Sequence, residues 1–167
     1  IMTGPSHYAY LKVSEGCDRT CAFCAIPDIR GRYISEPIEG LVEEARKLAE
    51  RGVRELILIA QDLTLYGLDL YGKQMLPELV RRLTEIPDLG WIRLHYLYPS
   101  DFPREILEMM QDNPKICRYI DLPVQHISDK VLKMMRREHD SEGTRRLLKD
   151  IRRMLPDAAV RTTVIAG

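Results

Sequence analysis

The run Glu15-Gly16-Cys17-Asp18-Arg19-Thr20-Cys21-Ala22-Phe23-Cys24 carries three cysteines spaced four and three residues apart. Three thiolates on one loop can hold an iron-sulfur cluster and leave one iron open to a non-protein ligand, whereas electron-transfer ferredoxins close the cluster with four cysteines. A closed zinc site also needs four ligands, commonly as two separated pairs. The remaining cysteine, Cys117, precedes a later strand and so falls at the opposite end of a parallel sheet, where it reads as a packed thiol. His95 or His126 could complete a zinc site instead.

Such a loop needs a framework to present it. Tyr8 to Val13 alternates and is rich in β-formers, which predicts a strand running directly into the cysteines. Glu36-Pro37 opens a helix with Leu41, Val42, Ala45, Leu48 and Ala49 on one face, and Gly52 closes it. Leu56 to Ala60 is a continuous apolar run, as expected of a parallel strand covered on both faces. The unit recurs, with a helix from Met75 to Glu85, a strand from Trp91 to His95, a short helix from Arg104 to Gln111 and a strand around Arg118 to Leu122. Helical stretches from Asp129 to Met135 and from Ser141 to Met154 lead to a fifth strand, Val160 to Ile165.

This alternation makes the chain α/β, with right-handed crossovers and a parallel sheet. Five βα steps fit either a doubly wound sheet or an arc of a barrel, and in both ligands gather at the C-terminal ends of the strands. Polar residues collect there: the cysteine loop after the first strand, Gln61-Asp62 after the second, His95-Tyr96 after the third and Gln125-His126 after the fourth.

The C-x3-C-x2-C loop after the first strand of a βα series resembles the radical S-adenosylmethionine superfamily, in which the cofactor's amino and carboxylate groups chelate the open iron. Arg30-Gly31-Arg32, Leu122-Pro123-Val124-Gln125-His126, Met134-Met135-Arg136-Arg137 and Thr162-Thr163-Val164-Ile165-Ala166-Gly167 resemble, in order, its methylthiotransferase branch. Three further segments, Tyr8 to Cys17, Gln61 to Gly67 and Arg93 to Pro99, are similar to the RimO-type enzymes, which modify an aspartate of a small-subunit ribosomal protein. Relatives that modify a tRNA adenosine carry an asparagine after the glutamine and a threonine-serine stretch at the third segment.

The resemblance spans essentially the whole chain and implies a parallel-sheet partial (β/α) barrel of the radical SAM type. It implies a [4Fe-4S] cluster on Cys17, Cys21 and Cys24, S-adenosylmethionine, and an electron donor such as flavodoxin or ferredoxin. The implied reaction inserts sulfur at the unactivated β-carbon of the aspartate and methylates it from a second S-adenosylmethionine. Such a C–H bond has no acidity that a histidine or carboxylate could exploit, so the reaction needs a 5′-deoxyadenosyl radical. Family members add an N-terminal domain with an auxiliary [4Fe-4S] cluster and a C-terminal β-barrel that contacts RNA. Residues 1–167 are then expected to be the radical core, cut before its last βα unit, able to hold one cluster but not to complete methylthiolation.

The resemblance also suggests roles at the strand ends. Phe23 would lie near the adenine, Asp62 with Gln61 would hold the cofactor's ammonium, and Gln125 would hydrogen-bond the cofactor. Asp62 also reads as an N-cap or loop aspartate, and Gln125 as a loop amide. One of Arg136 and Arg137 would neutralise the methionyl carboxylate or the target aspartate, Arg136 being the choice for the cofactor. Arg30 and Arg32 would stabilise the anionic cluster or remain solvated, as Arg145, Arg146, Arg152 and Arg153 should. His95, Tyr96, His126 and Arg30 are candidates for the substrate cavity; His7 and His139 read as surface residues, and Met109, Met110, Met134 and Met135 as core fill.

Equal numbers of Lys plus Arg and Asp plus Glu, 25 each, exclude a strong overall field toward nucleic acid or membrane. No apolar run reaches the ~20 residues of a membrane span, and Ile1 to Pro5 lacks the pattern of a signal peptide. Few and clustered cysteines suit a reducing compartment, so a cytoplasmic protein is expected. The competing functions are the same chemistry on a tRNA adenosine and a non-catalytic zinc- or cluster-binding module.

Overall fold

A computed structural model describes residues 5–166; Ile1 to Gly4 and Gly167, the end of the Thr162-to-Gly167 run, lie outside the described residues. The elements are β1 (Tyr8–Lys12), β2 (Ser14–Glu15), α1 (Ile26–Arg30), β3 (Ile34–Ser35), α2 (Ile38–Glu50), β4 (Glu55–Ile59), a 3-10 turn (Leu63–Leu65), α3 (Leu68–Tyr71), α4 (Leu76–Thr84), β5 (Trp91–Leu94), α5 (Glu105–Asp112), β6 (Tyr119–Asp121), α6 (Asp129–Met134), α7 (Ser141–Met154) and β7 (Ala159–Arg161).

β1, β4 and β5 pair in parallel, with Leu11 against Leu58 and Leu58 against Leu94. A parallel bridge from Ile92 to Ile116 carries the sheet on toward β6, which pairs in parallel with β7. Each βα step therefore adds its strand beyond the previous one, without the reversal that defines a doubly wound sheet. The sheet is an arc of a (β/α) barrel with the cysteine loop at its first strand.

Alternation along the strands sorts the two faces. Leu11, Leu56, Leu58, Ile92, Leu94 and Ile120 are buried against the helices, where they meet Leu41 and Ala45 of α2, Leu79 and Leu83 of α4, and Leu147 and Ile151 of α7. The opposite, inner face carries Glu55, Arg93, Tyr119 and Asp121. Arg93 pairs with Glu55 at 2.5 Å and lies 5.1 Å from the Tyr119 ring centroid. Cys117 is half-buried with Glu55, Trp91 and Arg93 around one cavity, at the end of the sheet away from the cysteine loop, and burial pushes its thiol pKa up.

Two local departures matter for the site. The expected fifth strand stops at Arg161, because the Thr162 hydroxyl donates to Leu122 O (2.8 Å) and accepts from Val124 N (3.2 Å), interrupting the ladder before it resumes at Gln125 and Val164. The β2–β3 ribbon, α1 and α3 are too short for periodicity to reveal. The ribbon, with Ser14 opposite Ser35, brackets the cysteine loop.

Leu58 is fully buried at the centre of the parallel sheet. Leu58→Ala should cost about 2–5 kcal/mol, read as a lower urea midpoint with an unchanged slope.

Candidate active site

The cysteine loop is closed at its base by a backbone crossing. Gly16 has φ of 76°, and a Cβ there would lie 2.0 Å from Arg32 O. Only glycine permits that approach. Cys17 N donates to Gly31 O at 3.2 Å, Cys24 N to Cys21 O at 3.1 Å, and Ala22 N to Met135 O at 2.9 Å, so α6 buttresses the loop from the far end of the sequence. All three cysteines are free; Cys17 is buried, Cys21 half-buried and Cys24 exposed. They line one cavity of about 610 Å³, together with Asp18, Arg32 and Arg136. Burial pushes the Cys17 thiol pKa up. Among the described residues, no three His, Cys, Asp or Glu side chains converge as a single-ion site. Three thiols distributed around a shared cavity suit a polynuclear group.

Arg19, between the first two cysteines, is 8% exposed. Its Nε donates to Asp62 (2.9 Å), and its terminal nitrogens reach Asp101 (3.2 Å) and Glu138. Arg19 N also donates to Cys17 Sγ at 3.4 Å. Asp62 is buried; one oxygen accepts from Arg19 and the other from Thr64 N (2.9 Å) and the Thr64 hydroxyl. Burial pushes its carboxyl upward against these contacts, while desolvation of Arg19 is outweighed by the Asp62 carboxylate, which raises the guanidinium pKa. With three donors on its two oxygens and a guanidinium alongside, the carboxylate is the form this arrangement holds. Asp62 thus caps the 3-10 turn and anchors the cysteine loop.

Tyr98 brings a second arginine to the loop. Its ring centroid lies 4.1 Å from the Arg19 guanidinium carbon and 4.0 Å from that of Arg137. Arg137 donates to Cys21 Sγ at 3.5 Å and to Pro123 O at 2.8 Å. Arg136 adopts φ of 53° and lines the cysteine cavity. The expectation that only one of this pair faces the site is corrected: the left-handed residue breaks the helical period, and the two side chains reach the loop by different routes. His139, expected at the surface, is 8% exposed, packed edge-on to Tyr98 at 5.8 Å with Nε2 3.2 Å from Val124 O. Met134, expected as core fill, is instead 70% exposed, whereas Met110 is buried as expected.

The other candidates are spread around the open end of the arc. Gln61 Nε2 donates to Glu15 (3.3 Å), and its Oε1 is buried without a partner among the described residues. Gln125, at φ of 65°, continues the last ladder through Gln125 N to Thr163 O and Ile165 N to Gln125 O, both 2.8 Å. Phe23 is exposed. His95 packs 5.6 Å from Tyr119, and burial lowers its pKa. Tyr96, at φ of 61°, donates its backbone N–H to Asp121 at 3.2 Å. His126 Nδ1 accepts from Ser128 N at 2.9 Å, a local turn contact. Arg30 is exposed and approaches Glu15 at 3.8 Å, while Arg32, rather than Arg30, lines the cysteine cavity. Arg19, Tyr98, Asp101 and Glu138 escape sequence reasoning. The one local signal is a cation set between two of the clustered cysteines.

A cysteine-bearing loop at the first strand of a (β/α) arc, facing the other strand ends, places this chain in the radical SAM superfamily, whose family model matches residues 11–167. The chain is 58% identical over 167 residues to the ribosomal protein uS12 methylthiotransferase RimO of Flavobacterium johnsoniae, covering 100% of this chain and 38% of that protein. It is 52% identical over 166 residues to the protein of the same name from Bacteroides fragilis, covering 99% of this chain and 38% of the relative. The chain thus spans less than two-fifths of these curated relatives. Among solved structures it is similar in fold to the radical S-adenosylmethionine methyltransferase TsrM from Kitasatospora setae, with a TM-score of 0.69 and 20% identity over 94% of this chain and 28% of that one. It is also similar to the cobalamin-dependent S-adenosylmethionine radical enzyme OxsB, with a TM-score of 0.67 and 14% identity over 93% of this chain and 23% of that one.

Gly16→Ala should destabilise the fold by about 1–3 kcal/mol and lower iron uptake, measured by urea unfolding and by iron content after anaerobic reconstitution. Burial, and then the nearby Arg137 charge, hold the His139 pKa below its ordinary value. The unfolded chain therefore takes up this proton first, and stability present above pH ~6.5 is lost as pH falls toward the depressed folded value. His139→Gln should flatten that part of the stability profile, measured by unfolding between pH 8 and pH 5.

Proposed function

We propose that this chain is the radical-generating core of a cytoplasmic methylthiotransferase whose substrate is an aspartate of the small-subunit ribosomal protein uS12. The observation that carries the reading is the convergence of Cys17, Cys21 and Cys24 on one cavity, opposite the polar strand ends of a (β/α) arc. The substrate is inferred from the name of the uS12-modifying relatives, which match along the whole chain.

The residues present fit a [4Fe-4S] cluster and S-adenosylmethionine. Cys17, Cys21 and Cys24 would supply three thiolates; Arg32 and Arg136 line the same cavity with positive charge. Arg137 Nε and Gln61 Oε1 are buried without partners among the described residues, a donor and an acceptor that the two groups could engage. When both are bound, the chemistry supplied is one-electron cleavage of the sulfonium, giving the radical that removes a hydrogen from an unactivated carbon.

The chain's own side chains bind and orient. Gln61 Oε1 would take the cofactor's ammonium, a task that Asp62 leaves to it because both Asp62 oxygens are committed to Arg19 and Thr64. Arg136, on the cysteine cavity, would face the carboxylate, the exposed ring of Phe23 would meet the adenine, and Gln125 would hydrogen-bond the cofactor. His95 and Tyr96, beside the inner-face charges Arg93, Asp121 and Arg161, would line the way to the target aspartate. An auxiliary cluster, RNA contacts and the docking of an electron donor such as flavodoxin or ferredoxin would fall to segments of the kind that the relatives have beyond the 38% matched by this chain.

Anaerobic reconstitution with iron and sulfide should give a brown protein with close to four irons, whose reduced spectrum changes on adding S-adenosylmethionine. Replacing any of Cys17, Cys21 or Cys24 with Ala should abolish that change. A colourless zinc protein, or a cluster indifferent to the cofactor, overturns the reading. Assay of the full-length protein on uS12 and on tRNA tests the substrate, with modification of tRNA alone as the contrary result.

A further inference from the structure

Arg137 is the second arginine on the Tyr98 ring. Among the described residues it forms no ion pair with any carboxylate, although Arg19, on the same tyrosine, is surrounded by Asp62, Asp101 and Glu138. Its guanidinium is fixed on three sides: 4.0 Å from the Tyr98 ring centroid, 2.8 Å from Pro123 O and 3.5 Å from Cys21 Sγ. Its Nε is buried and unpartnered. A charge withdrawn from water is costly unless an opposite charge compensates it. Among the described residues, the one anion-forming group to which the guanidinium donates a hydrogen bond is the Cys21 sulfur, since Tyr98 offers it only the face of its ring. Arg30 and Arg32, by contrast, are more than half exposed and approach Glu15 and Asp18.

We infer that Arg137 is a positioning residue for the cluster, pairing its guanidinium with the Cys21 thiolate so that a fixed positive charge and an N–H···S contact stabilise the reduced cluster and raise its potential. The inference rests on the cluster-binding reading above. Hydrogen bonds to sulfur and net charge are levers on iron-sulfur potentials, and ligand-orienting partners of this kind tune metal sites. Tyr98 is the rigid spacer. Two guanidinium groups of like charge about 4 Å from one centroid are accommodated on the two faces of the ring, so Arg19, held by three carboxylates, fixes the ring on which Arg137 rests. Arg137 is thereby aimed at Cys21 before any cluster arrives.

The test compares reconstituted wild-type protein with Arg137→Gln, Arg137→Lys and Arg153→Gln, a solvated arginine of α7. The readouts are iron content and an EPR-monitored titration with dithionite and redox dyes. At the wild-type midpoint, Arg137→Gln should show a reduced-to-oxidised ratio about tenfold lower, equal to about 59 mV for one electron. Arg137→Lys should recover part of the loss, and Arg153→Gln should match wild type. Pulsed EPR of reduced wild-type protein carrying arginine 15N-labelled only in the guanidinium, so that the Arg19 backbone N–H at Cys17 Sγ stays silent, should show a weak nitrogen coupling that Arg137→Lys diminishes, a readout that holds even if the glutamine variant does not fold. An unchanged midpoint in an Arg137→Gln protein with normal iron content overturns this inference alone, as does a guanidinium nitrogen coupling that is undiminished in Arg137→Lys. A wild-type protein that takes up no cluster overturns the cluster-binding reading and this inference with it.

Discussion

The buried guanidinium of Arg19 is the constraint from which the site geometry follows. A charge at 8% exposure requires opposite charge and hydrogen-bond acceptors close by. Asp62, Asp101 and Glu138 meet that requirement from three separate loops, those after β4, after β5 and after α6. Because Arg19 sits between Cys17 and Cys21, satisfying its charge also sets where two of the three sulfurs lie. Cysteine loop and scaffold are therefore one electrostatic unit. Deleting Asp62, itself 1% exposed, would leave the guanidinium's Nε uncompensated away from water.

The arrangement works because the strands add sequentially. In the resulting arc, the loops after successive strands share one end, and the cysteine loop faces its partners across that end. The helix side of the sheet is filled with Leu, Ile and Ala, which leaves polar chemistry to the inner side. There Glu55, Arg93, Tyr119, Asp121 and Arg161 pair along the strands. Backbone conformations uncommon for side-chain-bearing residues occur at Tyr96, Asp101, Gln125 and Arg136, all at this same end. Left-handed backbone outside glycine carries strain, and its concentration at the strand ends is expected of a site held by its surroundings.

Much of the scaffold was legible from periodicity. The helix predicted at Ser141 to Met154 occurs with those bounds, and the strands at Tyr8, Leu56, Trp91 and Tyr119 lie where alternation or apolar runs place them. The β2–β3 ribbon, with two residues in each strand, and α1, a helix of five residues, were not legible, since each completes little more than one period of its own kind. The early end of β7 escaped for another reason. Thr162 is a good strand former by composition, but its hydroxyl competes for the ladder's own hydrogen bonds.

The sequence by itself determined the three-thiol loop, its place after the first strand and the set of polar residues at the strand ends, because cysteine spacing and strand alternation are local properties. Periodicity left a doubly wound sheet and a barrel arc open and the family resemblance implied the arc, which the tertiary structure bears out through strand order, a matter of which distant segments pair. The tertiary structure alone assigned Asp62 to Arg19 and Thr64, buried His139 and brought Arg137 to Cys21 across 116 positions of sequence. Charge compensation and ring stacking act through space, so their partners leave no periodic trace along the chain.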